Sequence, residues 1–272
     1  MIVKNPGIKK MNRLVNQYFL EENRFEKVIF LADSLDLDWS AVTEIISDFP
    51  RGWFELSRIS VQDRIQFTYD FWLDRLPFHI NMSSVLNQFF GKLEDVGVVL
   101  ICNEGLWSCE LIYSLKDNSS FFRGCPGASS PDIEEVKMSL GFSLPRDYFA
   151  FMKIHNGFGR RSEMGLLKLD ELVDARRRLS QSILKADRIV KSGSTSVDPG
   201  ALLPFYEVYG LASFQCFYTD WYPGNEPGNV YFSGVDYTVS DTRREKFWNE
   251  NLAFSSFLEW FIYYLEGMSI SS

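Results

Sequence analysis

Leu140-Gly141-Phe142-Ser143-Leu144-Pro145-Arg146-Asp147-Tyr148-Phe149-Ala150-Phe151, followed by Asn156-Gly157, is the stretch on which the fold turns. It joins two short helices. Ser130 caps the first, Pro131 sits in its first turn, and Asp132, Glu134 and Glu135 complement its positive end. Ile133, Val136 and Leu140 form its apolar face, and Gly141 ends it. Pro145 stands near the first position of the second helix, whose buried side is Tyr148, Phe149, Phe151 and Met152. Asn156-Gly157 stops that helix, one of the two in the left-handed conformation that glycine tolerates.

Working outward toward the C-terminus, Gly165–Leu169 reads as a strand that leads into a helix over 170–191. Lys191–Pro199 reads as a Ser/Gly-rich loop. Strands are expected at Leu202–Phe205, Ser213–Tyr218 and Val230–Phe232, with a turn at Pro223–Gly228 between the last two. An amphipathic helix closes the chain: Phe254, Phe257, Leu258, Phe261 and Leu265 form its stripe, Ser255 or Ser256 its cap and Gly267 its stop.

This order resembles the SUKH superfamily, named partly for a yeast cell-wall synthesis regulator and widespread as bacterial immunity proteins. Its pattern "LG-x-x-LP-x-DY-x-x-F" then "NG" corresponds to Leu140 through Phe151 and to Asn156-Gly157. A later "G-L-L-x-L-D-E-L" corresponds to Gly165–Leu172, and a strand and final helix to Gly228–Tyr231 and Phe254–Leu265. The family often carries a Gly-Asp pair in its central strands, where this chain reads Tyr209–Cys216 with Asp220 only later. The resemblance implies an α+β fold with a mixed sheet packed against helices, and a non-catalytic protein-binding role. The motif residues Leu140, Gly141, Leu144, Pro145, Tyr148, Asn156 and Gly157 read as structural.

Toward the N-terminus, the segment Gly124–Pro131 is rich in Gly, Pro and Ser and reads as a linker. It divides a mainly helical region with a β-hairpin, 1–128, from the SUKH-like part, 129–272. Apolar stripes at 3–4 spacing predict helices through Met11–Phe19, through Phe25–Ala32 and through Trp39–Ile46, the last ended by Pro50 and Gly52. Val61, Ile65, Thr68, Phe71 and Trp72 give another stripe, stopped by Pro77, and Val85–Leu93 a further one. Val98–Ile101 and the alternating Trp107, Cys109, Leu111, Tyr113 read as a hairpin around Asn103-Glu104-Gly105. Phe121-Phe122 adds a third strand after a turn at Asp117-Asn118.

Composition sets the frame for function. The chain has 272 residues, 46% hydrophobic and 24% charged, which is ordinary for globular domains. No run reaches the ~18 apolar residues of a membrane helix. Met1–Gly7 has no apolar core and runs into Lys9, Lys10 and Arg13, unlike a signal peptide, so a cytoplasmic protein is expected. Cys102, Cys109, Cys125 and Cys216 form no C-x-x-C pair and read as reduced, mostly buried thiols. The formal charge is −8. It is concentrated in residues 192–272, with three basic and ten acidic residues, whereas 160–191 has nine basic and five acidic. Such a surface favours basic partners.

The chemistry of catalysis is not written in this chain. His79 and His155 are far apart, and His155 suits a helix C-terminus. Gly157-x-Gly159 fails the dinucleotide pattern at its third glycine, and no Walker loop or G-x-S-x-G occurs. Asp36-x-Asp38 reads as a helix end and a solvated turn. No cofactor or metal is called for. Arg176-Arg177-Arg178 fans over about 200° of a helix, so the three cannot share one phosphate track; RNA contact is the sharp reading and a solvated face the plain one. Asp220, Trp221, Tyr222 and Glu226, with Asp236 and Tyr237 beyond, combine aromatic anchors with carboxylates. They make the candidate surface for a basic protein, in the family's terms a nuclease-type toxin. A regulatory hub that recruits through residues 1–130 is the alternative.

Overall fold

The computed structural model describes residues 12–22, 24–117, 119–161, 165–208, 211–240 and 252–267. Residues 1–11, Asn118 and Tyr209-Gly210, on which the sequence reading touches, lie outside the described residues. The chain is mixed α+β and forms two compact units, Met1–Asp74 with Leu86–Pro126, and Arg75–Val85 with Gly127–Ser272.

The first unit is built on antiparallel strands in the order β1-β2-β3-β4: β1 (Lys27–Phe30), β2 (Leu93–Asn103), β3 (Leu106–Leu115) and β4 (Phe121–Gly124). The β2–β3 hairpin turns at Glu104 and Gly105, both with positive φ. The stretch expected as a helix over Phe25–Ala32 is instead β1, whose Val28 faces Ile101 and whose Ile29 faces Leu100. Short apolar runs serve either period, and here pairing with β2 decides. Helix α1 (Arg13–Asn16) runs on into a π-helical turn, Gln17–Glu21, and brings Val15, Tyr18 and Phe19 onto Phe30, Val99, Ile112 and Phe121.

Four further α-helices lie between β1 and β2. The Asp38 side chain caps α2 (Trp39–Ile45) by accepting from the Ala41 N–H at 2.9 Å. Pro50 and Gly52 do not terminate this helix; they start the next, α3 (Arg51–Arg58), with Pro50 as its N-cap. Helix α4 (Val61–Arg75) buries Arg64, Thr68 and Trp72, while Phe71, expected in its core stripe, is exposed. The Arg64 guanidinium donates to both Asp95 carboxylate oxygens at 2.9 and 2.7 Å and to the Ile59 carbonyl. A guanidinium can be buried once its donors are satisfied, and apolar spacing alone does not reveal that. Trp72 Nε1 donates to the Tyr113 hydroxyl at 3.2 Å. A second buried pair, Arg123 with Glu110, lies across β3 and β4, and Arg123 also donates to the Tyr18 hydroxyl. Helix α5 spans Met82–Gly91, so Leu93 belongs to β2.

In the second unit, Ser129 rather than Ser130 caps α6 (Ser130–Leu140), in a reciprocal capping box with Asp132. Gly141, at φ 73°, ends it in the left-handed conformation. Helix α7 (Arg146–Met152) has Pro145 as its N-cap, and Gly157 has φ 101°. His155 is buried, its ring stacked on Phe158 at 5.6 Å. The strand β5 (Phe158–Arg160) bridges to Leu166, which in turn bridges to Tyr206.

Helix α8 spans Leu172–Lys185 and stops short of the expected 191. The stretch expected as a loop, Lys191–Pro199, contains a hairpin of β6 (Val190–Ser192) and β7 (Thr195–Val197). Its Gly193 supplies the positive φ that a tight turn needs. Then come β8 (Leu202–Val208), β9 (Ser213–Tyr218), β10 (Asn229–Ser233) and β11 (Thr238–Val239). The sheet order is β7-β6-β11-β10-β9-β8, antiparallel except for the parallel pair β11–β6.

Alternation along the strands gives this sheet two apolar faces. Leu202, Cys216, Val230 and Phe232 pack with Leu179 and Ile183 of α8. Phe205 and Phe217 pack with Tyr148 of α7 and, for Phe205, with Phe257 and Trp260 of α9 (Phe257–Gly267). Phe254 precedes α9 and bridges to Asn229.

Candidate protein-binding surface

The sheet of the second unit has two ends, and the candidate residues are divided between them. The β9–β10 loop carries Asp220, Trp221, Tyr222 and Glu226; the β10–β11 turn, at the other end, carries Asp236 and Tyr237. The six residues of β9 hold the two groups about 20 Å apart at ~3.4 Å per residue. A single partner-facing cluster of all six is therefore not what the fold builds.

At the loop end, much of the chemistry is internal. The Trp221 indole lies so close over Gly228 that a Cβ there would sit 2.5 Å from the ring. The Gly228 N–H donates to the Trp221 carbonyl. Glu226 accepts from the backbone N–H of Arg146 at 3.1 Å and pairs with its guanidinium at 3.5 Å. Asp147 binds two segments at once: its carboxylate accepts from the Tyr148 N–H at 2.8 Å and from the Leu258 N–H, in the first turn of α9, at 2.9 Å. Burial nevertheless raises its pKa above the ordinary 3.8, against those hydrogen bonds. Asn229 Nδ2 donates to the Ser256 carbonyl, and the Ser256 hydroxyl accepts from the Glu259 N–H. Asp220 and Tyr222 remain exposed.

The other end is open. A cavity of about 470 Å³ lies between α8 and the sheet, lined by Leu179 and Ile183, by Phe214 and Phe232, and by the rim residues Ala212, Gly234 and Tyr237. Arg178, Ser182 and Glu207 add polar groups. None of these three side chains makes a hydrogen bond or ion pair among the described residues. The rim is drawn together by the Gly234 N–H, which donates to the Ala212 carbonyl at 3.0 Å. A Cβ at Gly234 would stand 2.1 Å from that oxygen. Ala212 (φ 47°) and Tyr237 (φ 53°) both hold left-handed backbone, at roughly 1–2 kcal/mol each. Leu211 and Val235, next to the rim residues in sequence, are 59% and 77% exposed. The Arg188 guanidinium lies 5.8 Å from the Tyr237 ring centroid.

The three consecutive arginines of α8 have three fates. Arg176 donates twice to the Gly200 carbonyl and lies over the Phe142 ring. Arg177 pairs with Asp174 on the exposed face. Arg178 lines the cavity. They do not converge on one ligand.

Of the motif residues, Leu140, Leu144 and Tyr148 are buried, and Tyr148 sits among Phe149, Phe205, Phe217 and Phe257. Asn156 Oδ1 accepts from the Leu169 N–H. The sequence reading missed the cavity, Arg178 as one of its walls, and Asp147 as the link between α7 and α9. The last had a signal: an Asp just after Pro145 at a helix start. Its second partner, 111 residues away, had none.

Among the described residues no cluster of His, Cys, Asp and Glu could hold a metal ion, and no helix is long and apolar enough to cross a membrane. No cysteine is in a disulfide; burial pushes the Cys109 thiol up to about 12 and raises that of Cys216, which leaves neither as a thiolate at neutral pH. No curated protein matches the chain. Residues 127–262 match the model of the SMI1 / KNR4 family (SUKH-1), a span that runs from the start of α6 into α9 and takes in the whole two-faced sheet. With half of its length covered by that match, the chain belongs to the SMI1 / KNR4 family (SUKH-1).

Proposed function

We propose that this protein is a non-catalytic binding module that masks a basic protein partner, in the manner of an immunity protein against a nuclease-type toxin, and that it grips that partner at the open end of its C-terminal sheet. The family points to a protein-binding or immunity-type module. The observation that carries the reading is the cavity of about 470 Å³ whose apolar floor is edged by Arg178, Ser182 and Glu207, none of them in a hydrogen bond or ion pair among the described residues. Pockets of this size take one or two anchor side chains, and such anchors dominate interface energetics. The exposed Leu211 and Val235 extend the apolar area beyond the rim. The net charge of −8 draws a basic partner from a distance, and Glu207 and Asp236 meet its cations at short range. The strained rim at Ala212 and Tyr237 supports the same placement, because left-handed non-glycine backbone gathers at functional sites.

The test is capture of partners on the tagged full chain from a native lysate at low salt, beside the same chain carrying Ser182→Trp. Ser182 is exposed and lines the cavity, so an indole there fills the space without disturbing the core. The proposal expects one stoichiometric basic protein that elutes with salt and is lost from the variant. Equal recovery on both chains would remove the cavity from the binding surface.

A further inference from the structure

We infer that the cavity between α8 and the C-terminal sheet is also a small-molecule site, and that its ligand is a free α-amino acid with a large apolar side chain. The inference rests on the reading of that cavity as a binding site, and adds a ligand that shares it with the protein partner. Strand register lays out the floor. Glu207 of β8 stands opposite Phe214 of β9, which stands opposite Phe232 of β10. Residues directly opposite one another share a face of the sheet, so one row runs from a carboxylate to two rings. That face is the one α8 covers with Leu179 and Ile183. The rings of Phe214 and Phe232 are stacked, their centroids 6.4 Å apart, and the Tyr237 ring stands edge-on to Phe232 at 6.3 Å. On the helix wall, Arg178 and Ser182 are four residues apart, hence neighbours on one side of α8, and both line the cavity. A cation and a hydroxyl thus belong to the helix wall and a carboxylate to the sheet wall.

Charge selects the ligand. Arg178 and Glu207 line one cavity, yet neither makes an ion pair or a side-chain hydrogen bond among the described residues. A small cation would meet the Arg178 guanidinium as well as Glu207, and a phosphate or a fatty acid would meet Glu207 as well as Arg178. A ligand that bears both charges gives each wall its complement. The guanidinium and the Ser182 hydroxyl donate to a carboxylate, and Glu207 accepts from an ammonium. The floor of Leu179, Ile183, Phe214 and Phe232 takes an aromatic or branched side chain. An α-amino acid carries these three groups on one carbon. The cavity volume of about 470 Å³ lies within the ~300–1,000 Å³ of small-ligand pockets.

The experiment is isothermal titration calorimetry on the full chain with L-phenylalanine and L-leucine. Two derivatives accompany them: N-acetyl-L-phenylalanine, which lacks the ammonium, and L-phenylalanine amide, which lacks the carboxylate. Saturable one-to-one binding of an amino acid is expected, weaker by roughly tenfold for either derivative. Arg178→Gln should lose the preference for the acid over the amide and keep the preference for the free amine. Glu207→Gln should do the reverse, and Ser182→Trp should bind none of them. Arg178 and Ser182 are exposed and Glu207 is half-buried, so the ligand-free melting temperatures should stay close to that of the wild type. The derivatives test the same two contacts on the unaltered chain. No binding of either amino acid at millimolar concentration would overturn the inference. So would equal affinity for phenylalanine, its N-acetyl form and its amide. The two readings of the cavity fail separately. If neither amino acid binds while Ser182→Trp loses the captured protein, only the present inference falls. If Ser182→Trp abolishes amino-acid binding but captures the protein as the wild type does, the cavity belongs to the small ligand.

Discussion

The two ends of the C-terminal sheet are made of similar residues put to different use. At the β9–β10 end an aromatic residue and a carboxylate, Trp221 and Glu226, are consumed inside the unit: one covers Gly228, the other holds the start of α7. At the β10–β11 end Tyr237 and Glu207 line a cavity. The backbones differ in the same sense. The β9–β10 loop takes its positive φ angles at Gly224 and Asn225, residue types that tolerate them, while the other end takes them at Ala212, before β9, and at Tyr237, which do not. An acidic, aromatic loop is thus not a binding site by composition. What separates the two ends is a cavity at the second, whose polar walls Arg178, Ser182 and Glu207 make no hydrogen bond or ion pair among the described residues.

The strongest way to break this contrast is at the rim. Gly234→Ala places a methyl 2.1 Å from the Ala212 carbonyl oxygen, a backbone atom that cannot swing away. A loss of about 2–3 kcal/mol is expected in chemical denaturation, with the cavity distorted. A change of under about 0.5 kcal/mol would mean that the rim is already loose and the cavity not preformed.

Asp147 sharpens the other side. An acid whose pKa is raised by folding penalises its own ionisation. The penalty is absent below the ordinary value of 3.8 and is complete once the pH has passed the folded value, so this residue's contribution to stability falls as pH rises through that window. Asp147→Asn removes the titration and keeps one acceptor oxygen. Melting temperatures of the two proteins should therefore shift in favour of the variant as the pH rises above the ordinary 3.8. A difference that does not change with pH would show that the two backbone hydrogen bonds fully offset burial. Partner binding should survive the substitution, because Asp147 works inside the fold.

The smallest effect is expected at Ala212→Gly. Relief of the left-handed backbone and the greater freedom of glycine in the unfolded chain nearly cancel, leaving a gain of up to about 1 kcal/mol. If the strained rim holds the cavity open, partner affinity should drop a few-fold although stability does not. Equal affinity would make the strain incidental.

The sequence carried the second unit further than the first, and the reasons are local. Gly141, Pro145 and Gly157 are punctuation that works through backbone conformation alone, so their roles show in the bare chain. The strand over Ser213–Tyr218 is buried along most of its length, because different helices cover the two faces of the sheet, and its aromatic residues mark it in the bare chain. By contrast, β1 was misread as a helix, since Phe25, Val28, Ile29 and Ala32 fit a helical stripe and only the pairing with β2 breaks the tie. The burial of Arg64 on α4 depends on Asp95, 31 residues away. The hairpin at Val190–Val197 was hidden by serines and a glycine that read as a loop. For the candidate surface, residue types were legible and their distribution was not. Which carboxylates are already occupied is set by contacts such as Glu226 with Arg146, across 80 residues of chain.

The claim that the open end of the sheet is the binding surface is tested most directly by hydrogen exchange on the captured complex against the protein alone. The account predicts slowed exchange in residues 176–183, 211–214 and 234–238, with the loop at 219–226 unchanged. Protection confined to 219–226, with exchange around the cavity as fast as in the free protein, would contradict it and return the partner to the acidic, aromatic loop.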